Sequence, residues 1–135
     1  MTMSISNQKI GYVNLTTGEI RKEYITEDMR KFLIGSRGFN MYLMHTLTPK
    51  GIDAFDPRNW WFISCGVLGG MLVPSCGRTQ VSGLSPLTGA VGDSNMGGFF
   101  GVEMRYSGFD TIAVTGKAEK PVYLYIDDNG AELRD

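Results

Sequence analysis

No stretch of this 135-residue chain approaches the roughly 18 consecutive apolar residues that a membrane-spanning helix requires. The first ten residues are polar and lack the apolar segment of a secretory leader. Together these absences predict a soluble, cytoplasmic protein with no membrane partner. Neither sign of charge dominates, since 13 Lys and Arg stand against 14 Asp and Glu. No basic stripe appears, which argues against nucleic acid as a partner. Soft metal ligands are scarce: two cysteines, Cys65 and Cys76, and one histidine, His45. A zinc site or an iron–sulfur cluster needs about four such ligands, so this chain makes neither alone. In a reducing compartment the two thiols are expected to stay free. Nothing resembles a Ser/His/Asp or Cys/His triad, and His45, on an apolar helix, is expected to be packed or partly exposed. No repeat, low-complexity run or shift in composition divides the chain, so it is one domain or a piece of one.

What is abundant is glycine. Residues 76–101 hold Gly77, Gly83, Gly89, Gly92, Gly97, Gly98 and Gly101. Glycine loses the most backbone freedom on folding, so a cluster marks sharp turns or close backbone approach. One fixed cation, Arg78, stands at the start of the stretch, and one amide, Asn95, precedes an apolar segment. The run 92–98 reads as a glycine-rich turn feeding a helix. Such a turn could present peptide N–H groups to an anion, with an arginine fork opposite. It is neither G-x-G-x-x-G nor the Walker A pattern. Tight packing of helix on sheet is the competing explanation for the glycines.

Around this stretch the pattern predicts an α+β fold, mostly antiparallel sheet with a few short helices. Residues 9–15 and 19–25 read as a hairpin turning at Thr16-Thr17-Gly18. Thr26 suits an N-cap, with Glu27 and Asp28 in the first turn and Gly35 as the stop. Residues 39–47 predict a second helix, apolar nearly all round and hence well buried. Asp53 and Asp56 lie in a loop, where capping of turns is their expected role. Residues 60–65 form a short aromatic-rich run, read as a buried strand. Residues 66–75 form a loop. Strand character resumes over 78–83, with Val81 inward and Gln80 and Ser82 outward or paired. A brief strand at 90–91 precedes the glycine turn. A helix over 99–107, ended by Gly108, leads to strands over 110–115 and 121–126. Asp128-Asn129-Gly130 predicts a tight turn into a return strand over 131–134. That strand is cut short, which suggests that residues 1–135 are a part truncated at its C-terminal end.

Several motifs in fixed order resemble the aldehyde ferredoxin oxidoreductase family over nearly the whole chain. They are Tyr12-Val13-Asn14-Leu15-Thr16-Thr17-Gly18, Phe32-Leu33-Ile34-Gly35-Ser36-Arg37-Gly38, Ser85-Pro86-Leu87-Thr88-Gly89, and Asp93-Ser94-Asn95-Met96-Gly97-Gly98-Phe99-Phe100-Gly101. Ser107-Gly108-Phe109-Asp110 and the stretch from Gly116 to Ile126 complete the set. Two segments depart from the family pattern. Cys76-Gly77 stands where glycine-glycine is common, and Gly66-Val67-Leu68-Gly69-Gly70 follows the aromatic strand.

The resemblance implies the N-terminal, cofactor-binding part of a tungsten- or molybdenum-dependent, ferredoxin-linked oxidoreductase acting on aldehydes or related acyl-level substrates. It implies a bis-pterin cofactor whose metal is held by dithiolene sulfurs and whose phosphates are bridged by magnesium. It also implies a [4Fe–4S] cluster bound by later domains. Carried across, Arg78 contacts the pterin, while Asn95, Gly97 and Gly98, flanked by Ser94 and Gly77, hold pterin and phosphate. The backbone carbonyl of Asn95 is the implied magnesium contact. Catalytic groups belong to the later domains, so this chain alone is expected to be inactive. Implied partners are the rest of the parent enzyme and ferredoxin, and the missing domains should leave apolar surface prone to self-association. Two alternatives stand beside this: a stand-alone relic or partner-binding subunit that catalyses nothing, and a module for another phosphate-bearing ligand.

Overall fold

A computed structural model describes residues 9–135; the first eight residues, on which the leader expectation mostly rests, lie outside that range. The chain builds one six-stranded sheet in the order β2-β1-β6-β3-β4-β5 and a separate β7-β8 hairpin. The strands are β1 (Lys9–Asn14), β2 (Ile20–Tyr24), β3 (Trp60–Cys65), β4 (Thr79–Leu84), β5 (Val91–Met96), β6 (Thr111–Thr115), β7 (Tyr123–Asp127) and β8 (Gly130–Arg134). Three short helices accompany them: α1 (Glu27–Phe32), α2 (Arg37–Leu47) and α3 (Phe100–Tyr106). Within the large sheet only β1 and β6 run parallel. Their pairing joins segments about a hundred positions apart, and the Lys9 amide donates to Asp110 Oδ2 at 2.9 Å. The architecture is the α+β fold that the sequence predicts.

Alternation along the strands splits the core in two. Ile10, Phe62 and Ala113 pack with Ile25, Met29, Phe39, Leu43 and Met44 beneath α1 and α2. Val13, Cys65, Ile112 and Val114 pack on the other face with Met104 and Phe109, and the β7-β8 hairpin adds Leu124, Ile126 and Leu133. Thr26 caps α1 as expected, its Oγ1 accepting from the Met29 amide at 3.2 Å. Asp53 Oδ1 accepts from the Phe55 amide and Asp56 Oδ1 from the Arg58 amide, the capping role foreseen for both. Both thiols are free.

Three expectations need correction. The second helix is buried on one face only: Phe39, Asn40, Leu43 and Met44 point inward, while Tyr42 and His45 are exposed. In β4 Val81 is only half-buried, and Gln80 and Ser82, read as outward or paired, are buried and paired. The reason is a polar seam under α2. Asn40 Nδ2 donates to Ser82 Oγ at 3.0 Å, Ser64 Oγ donates to Asn40 Oδ1, and the Ser64 and Thr111 hydroxyls are hydrogen-bonded to each other at 3.0 Å. Buried polar atoms are tolerated when they are hydrogen-bonded to one another. The third correction concerns the glycine stretch itself.

Candidate functional site

Residues 92–98 are not one turn. β5 takes Val91–Met96 into the sheet, and only residues 97–99 link it to α3. Two features draw this polar segment into a ladder with β4. Gly83 and Gly92 lie opposite one another. The Asp93 carboxylate accepts from Gln80 Nε2 at 2.6 Å and pairs with Arg37 at 2.7 Å. Asn95 therefore sits in an exposed edge strand and not directly ahead of the helix. Strand alternation also separates the neighbours. Asn95 lies across from Gln80 and Ser94 across from Val81, so their side chains take opposite faces.

The ladder nevertheless brings the remaining candidates together. The β4–β5 register ends at Thr79↔Met96. Continued outward, it sets Arg78 against Gly97 and Gly77 against Gly98. Contact at the second pair is close, because a Cβ on Gly77 would stand 2.6 Å from the Gly98 carbonyl oxygen. Only hydrogen fits there, so Gly77 is required. Gly98 has φ +98°, the left-handed region that favours glycine. By contrast, a Cβ built on Gly97 or Gly98 meets nothing within 4 Å. The space before this turn is open. Phe99 precedes α3 without any side-chain cap, so no side chain of the cap residue covers the first-turn amides. Arg78 is exposed and makes no hydrogen bond or ion pair among the described residues. Continuing the pleat one residue past Thr79 puts Arg78 on the side of the sheet that carries Asn95.

This arrangement can hold an anionic oxygen group: a planar cation on one strand end, and bare peptide N–H groups on the other. It does not suit metal ligation by side chains. Among the described residues no three His, Cys, Asp or Glu side chains gather. A pterin phosphate fits the donor set, since it presents oxygens and leaves its metal to its own sulfurs.

Two residues behind the site carry no signal that the sequence reading picked up. Arg105 and Asp110 form a buried ion pair at 3.0 Å. The Arg105 NH1 group also donates to the carbonyls of Gly66 at 3.2 Å, Val67 at 2.5 Å and Gly69 at 2.8 Å. Tyr106 Oη donates to the Gly70 carbonyl at 2.8 Å. Burial pushes the Asp110 carboxyl up, opposed by the Lys9 amide and by Arg105. Burial also raises the Cys65 thiol. The available clue was periodicity: Val102 and Arg105 share one helical stripe, so an arginine stands where an apolar residue is expected. Away from this region, Met41, Met44, His45, Lys50, Leu84 and Val91 line a cleft of about 300 Å³. No helix among the described residues is long and apolar enough to cross a membrane.

Comparison with known proteins adds the following. Residues 10–135 match the family model described as aldehyde ferredoxin oxidoreductase, N-terminal domain. A tungsten-containing aldehyde ferredoxin oxidoreductase of Pyrococcus furiosus is 45% identical over 123 residues, covering 91% of this chain and 20% of that protein. The aliphatic sulfonate oxidoreductase, WOR-like subunit, of the same organism is 31% identical over 132 residues, covering 96% of this chain and 21% of the relative. In the solved active-site complex BamBC of benzoyl coenzyme A reductase with 1,5-dienoyl-CoA, one chain matches at TM-score 0.93 and 33% identity. That match covers 97% of this chain and 20% of the other. The chain thus spans about a fifth of the length of these relatives.

Proposed function

Because the chain belongs to the aldehyde ferredoxin oxidoreductase N-terminal domain family, we propose that it is the N-terminal part of the cofactor-binding domain of a tungsten- or molybdenum-dependent oxidoreductase. What carries this reading is the β4–β5 register, which, continued one step beyond Thr79↔Met96, sets Arg78 against the open Gly97-Gly98 turn. There the guanidinium would neutralise the charge of a pterin, and the exposed amides of residues 97–99 would donate to its phosphate oxygens. Asn95 would offer its backbone carbonyl to a magnesium ion that accompanies the phosphates. When bound, the bis-pterin metal centre supplies two-electron oxidation of an aldehyde or related acyl-level substrate, the electrons passing to a [4Fe–4S] cluster and to ferredoxin. The cluster ligands and catalytic acid–base groups lie outside these 135 residues, so the chain alone is inactive.

The relatives carry names for an aldehyde, a sulfonate and a benzoyl coenzyme A enzyme over the same kind of domain. Substrate choice therefore belongs to other parts of the parent protein, and this domain's task is to hold the cofactor. Exposed Phe99, Phe100 and Leu72 flank the site and are the surface on which those parts dock, in a cytoplasmic enzyme. Light scattering of the isolated chain should show self-association through that surface; a monodisperse monomer would remove this element of the proposal. The central test is metal and pterin analysis of the full-length protein, with Arg78→Ala alongside it. Wild type should carry tungsten or molybdenum and pterin. The variant should fold normally, because Arg78 is exposed and makes no hydrogen bond or ion pair among the described residues, yet lose most of its cofactor. Full-length wild type without metal and pterin defeats the assignment.

A further inference from the structure

We infer that Arg105 is a positioning residue for the cofactor site: held by Asp110, it fixes the loop that presents Gly77 and Arg78. The inference rests on the reading of the β4–β5 end as that site. Residues 66–77 run between β3 and β4 without helix or strand. A connection of this length needs anchoring from elsewhere to keep one shape. Of its apolar side chains, Leu68, Leu72 and Val73 are exposed and do not anchor it, while Val67, half-buried against Gly35, holds only its start. Its backbone anchors the rest. Arg105 gathers the carbonyls of Gly66, Val67 and Gly69, and Tyr106 takes that of Gly70. Further along, the Cys76 thiol donates to the Met71 carbonyl at 3.3 Å.

Both anchoring side chains come from the last turn of α3. The start of α3 follows Gly98, whose carbonyl presses on Gly77. A single seven-residue helix therefore touches the two ends of the loop, one at each of its own ends, about 10 Å apart. Loop, helix and glycine turn are thereby tied together, so that α3 backs the β4–β5 register which sets Arg78 against Gly97. The guanidinium is the group suited to this. Its planar fork reaches Asp110 through Nε and the carbonyls through NH1 at once, whereas a lysine ammonium is a point charge on a flexible stem. Burial makes the arrangement demanding, because the Arg105 side chain is only 3% exposed and cannot exchange lost partners for water.

The test uses the full-length protein that carries this domain, wild type against Arg105→Lys and Tyr106→Phe. The lysine keeps the charge opposite Asp110 and gives up the fork; the phenylalanine removes one hydroxyl from an exposed ring. Hydrogen exchange by mass spectrometry reads the loop, and metal and pterin analysis reads the cofactor. Amides over 66–77 should exchange about tenfold faster in Arg105→Lys, with β1 and β6 protected as in wild type. The same preparation should retain less than half of the wild-type tungsten or molybdenum. Tyr106→Phe should show the same pair of changes, smaller and centred on residues 68–71. If Arg105→Lys does not fold, Tyr106→Phe decides alone. Unchanged exchange over 66–77, or a loosened loop with full cofactor content, overturns the proposal while leaving the cofactor reading intact. Wild type without metal and pterin overturns both.

Discussion

Gly97→Ala separates folding from binding at one methyl group. A Cβ at this position meets no heavy atom within 4 Å, and Gly97 is not among the glycines with positive φ. The folded chain therefore accepts alanine without strain. The unfolded chain loses conformational freedom, which should stabilise the fold by roughly 0.4–1 kcal/mol. For a chain of this size that is a rise in melting temperature of about 2–4 °C. The ligand experiences the opposite. A methyl group in the open floor holds an oxyanion off the peptide N–H groups, and a hydrogen bond to a charged partner is worth about 1.5–3 kcal/mol. Retention of the pterin should weaken by roughly 10- to 100-fold. The assays are a thermal melt of the 135-residue chain and metal and pterin content of the full-length protein after dialysis. A melt that rises while cofactor content stays at the wild-type level would refute the placement of the ligand against this turn. A melt that falls would refute the claim that the space is open. The neighbouring glycines make controls: Gly77→Ala meets the Gly98 carbonyl and should cost about 1–3 kcal/mol, and Gly98→Ala at φ +98° should cost about 1–2 kcal/mol.

Phe62 is 0% exposed at the centre of the α2-side core, so Phe62→Ala should cost about 3–5 kcal/mol in urea unfolding, with little change in slope. Asn40→Ala should cost about 1–3 kcal/mol by the same measurement, since it strips partners from the buried hydroxyls of Ser64 and Ser82. The Arg58 side chain and amide hold the Asp56 carboxyl down to about 2, below its ordinary 3.8. A depressed carboxyl stabilises the fold above pH 3.8 and stops doing so as pH falls through about 2. Nuclear magnetic resonance titration should place the Asp56 midpoint near the lower value, and Arg58→Ala should return it toward the upper one. A wild-type midpoint near 3.8 would refute the pairing.

Strong local chemistry was readable in the sequence. The Thr16-Thr17-Gly18 turn, the Thr26 cap, the Trp60–Cys65 strand and the Gly108 stop after α3 all stand where residue type places them. Family membership was also legible, because several motifs keep their order over the chain. What could not be read depends on partners distant in sequence. Val91–Met96 has few strand-favouring residues and becomes a strand by pairing with β4 and by salt-bridging to Arg37; edge strands tolerate such polar composition. Gln80 and Ser82 read as outward or paired, and only Asn40, arriving from α2 to bond Ser82 and the Gln80 carbonyl, decides for pairing. Arg78 and the glycine turn were each visible, but their alignment follows from the β4–β5 register. Arg105 was missed because a buried arginine resembles a surface one until its four oxygen partners are known.

The parallel seam between β1 and β6 has a consequence for biosynthesis. The β1-β2 hairpin leaves the ribosome well before its partner, for its inner edge is completed only by a strand about a hundred positions downstream. At ordinary elongation rates that is a wait of roughly 5–20 s, during which an unpaired apolar edge faces the crowded cell. A holdase on the nascent chain, or a pause that shortens the interval, would serve this domain more than one whose first strand pairs with its sequence neighbours on both sides.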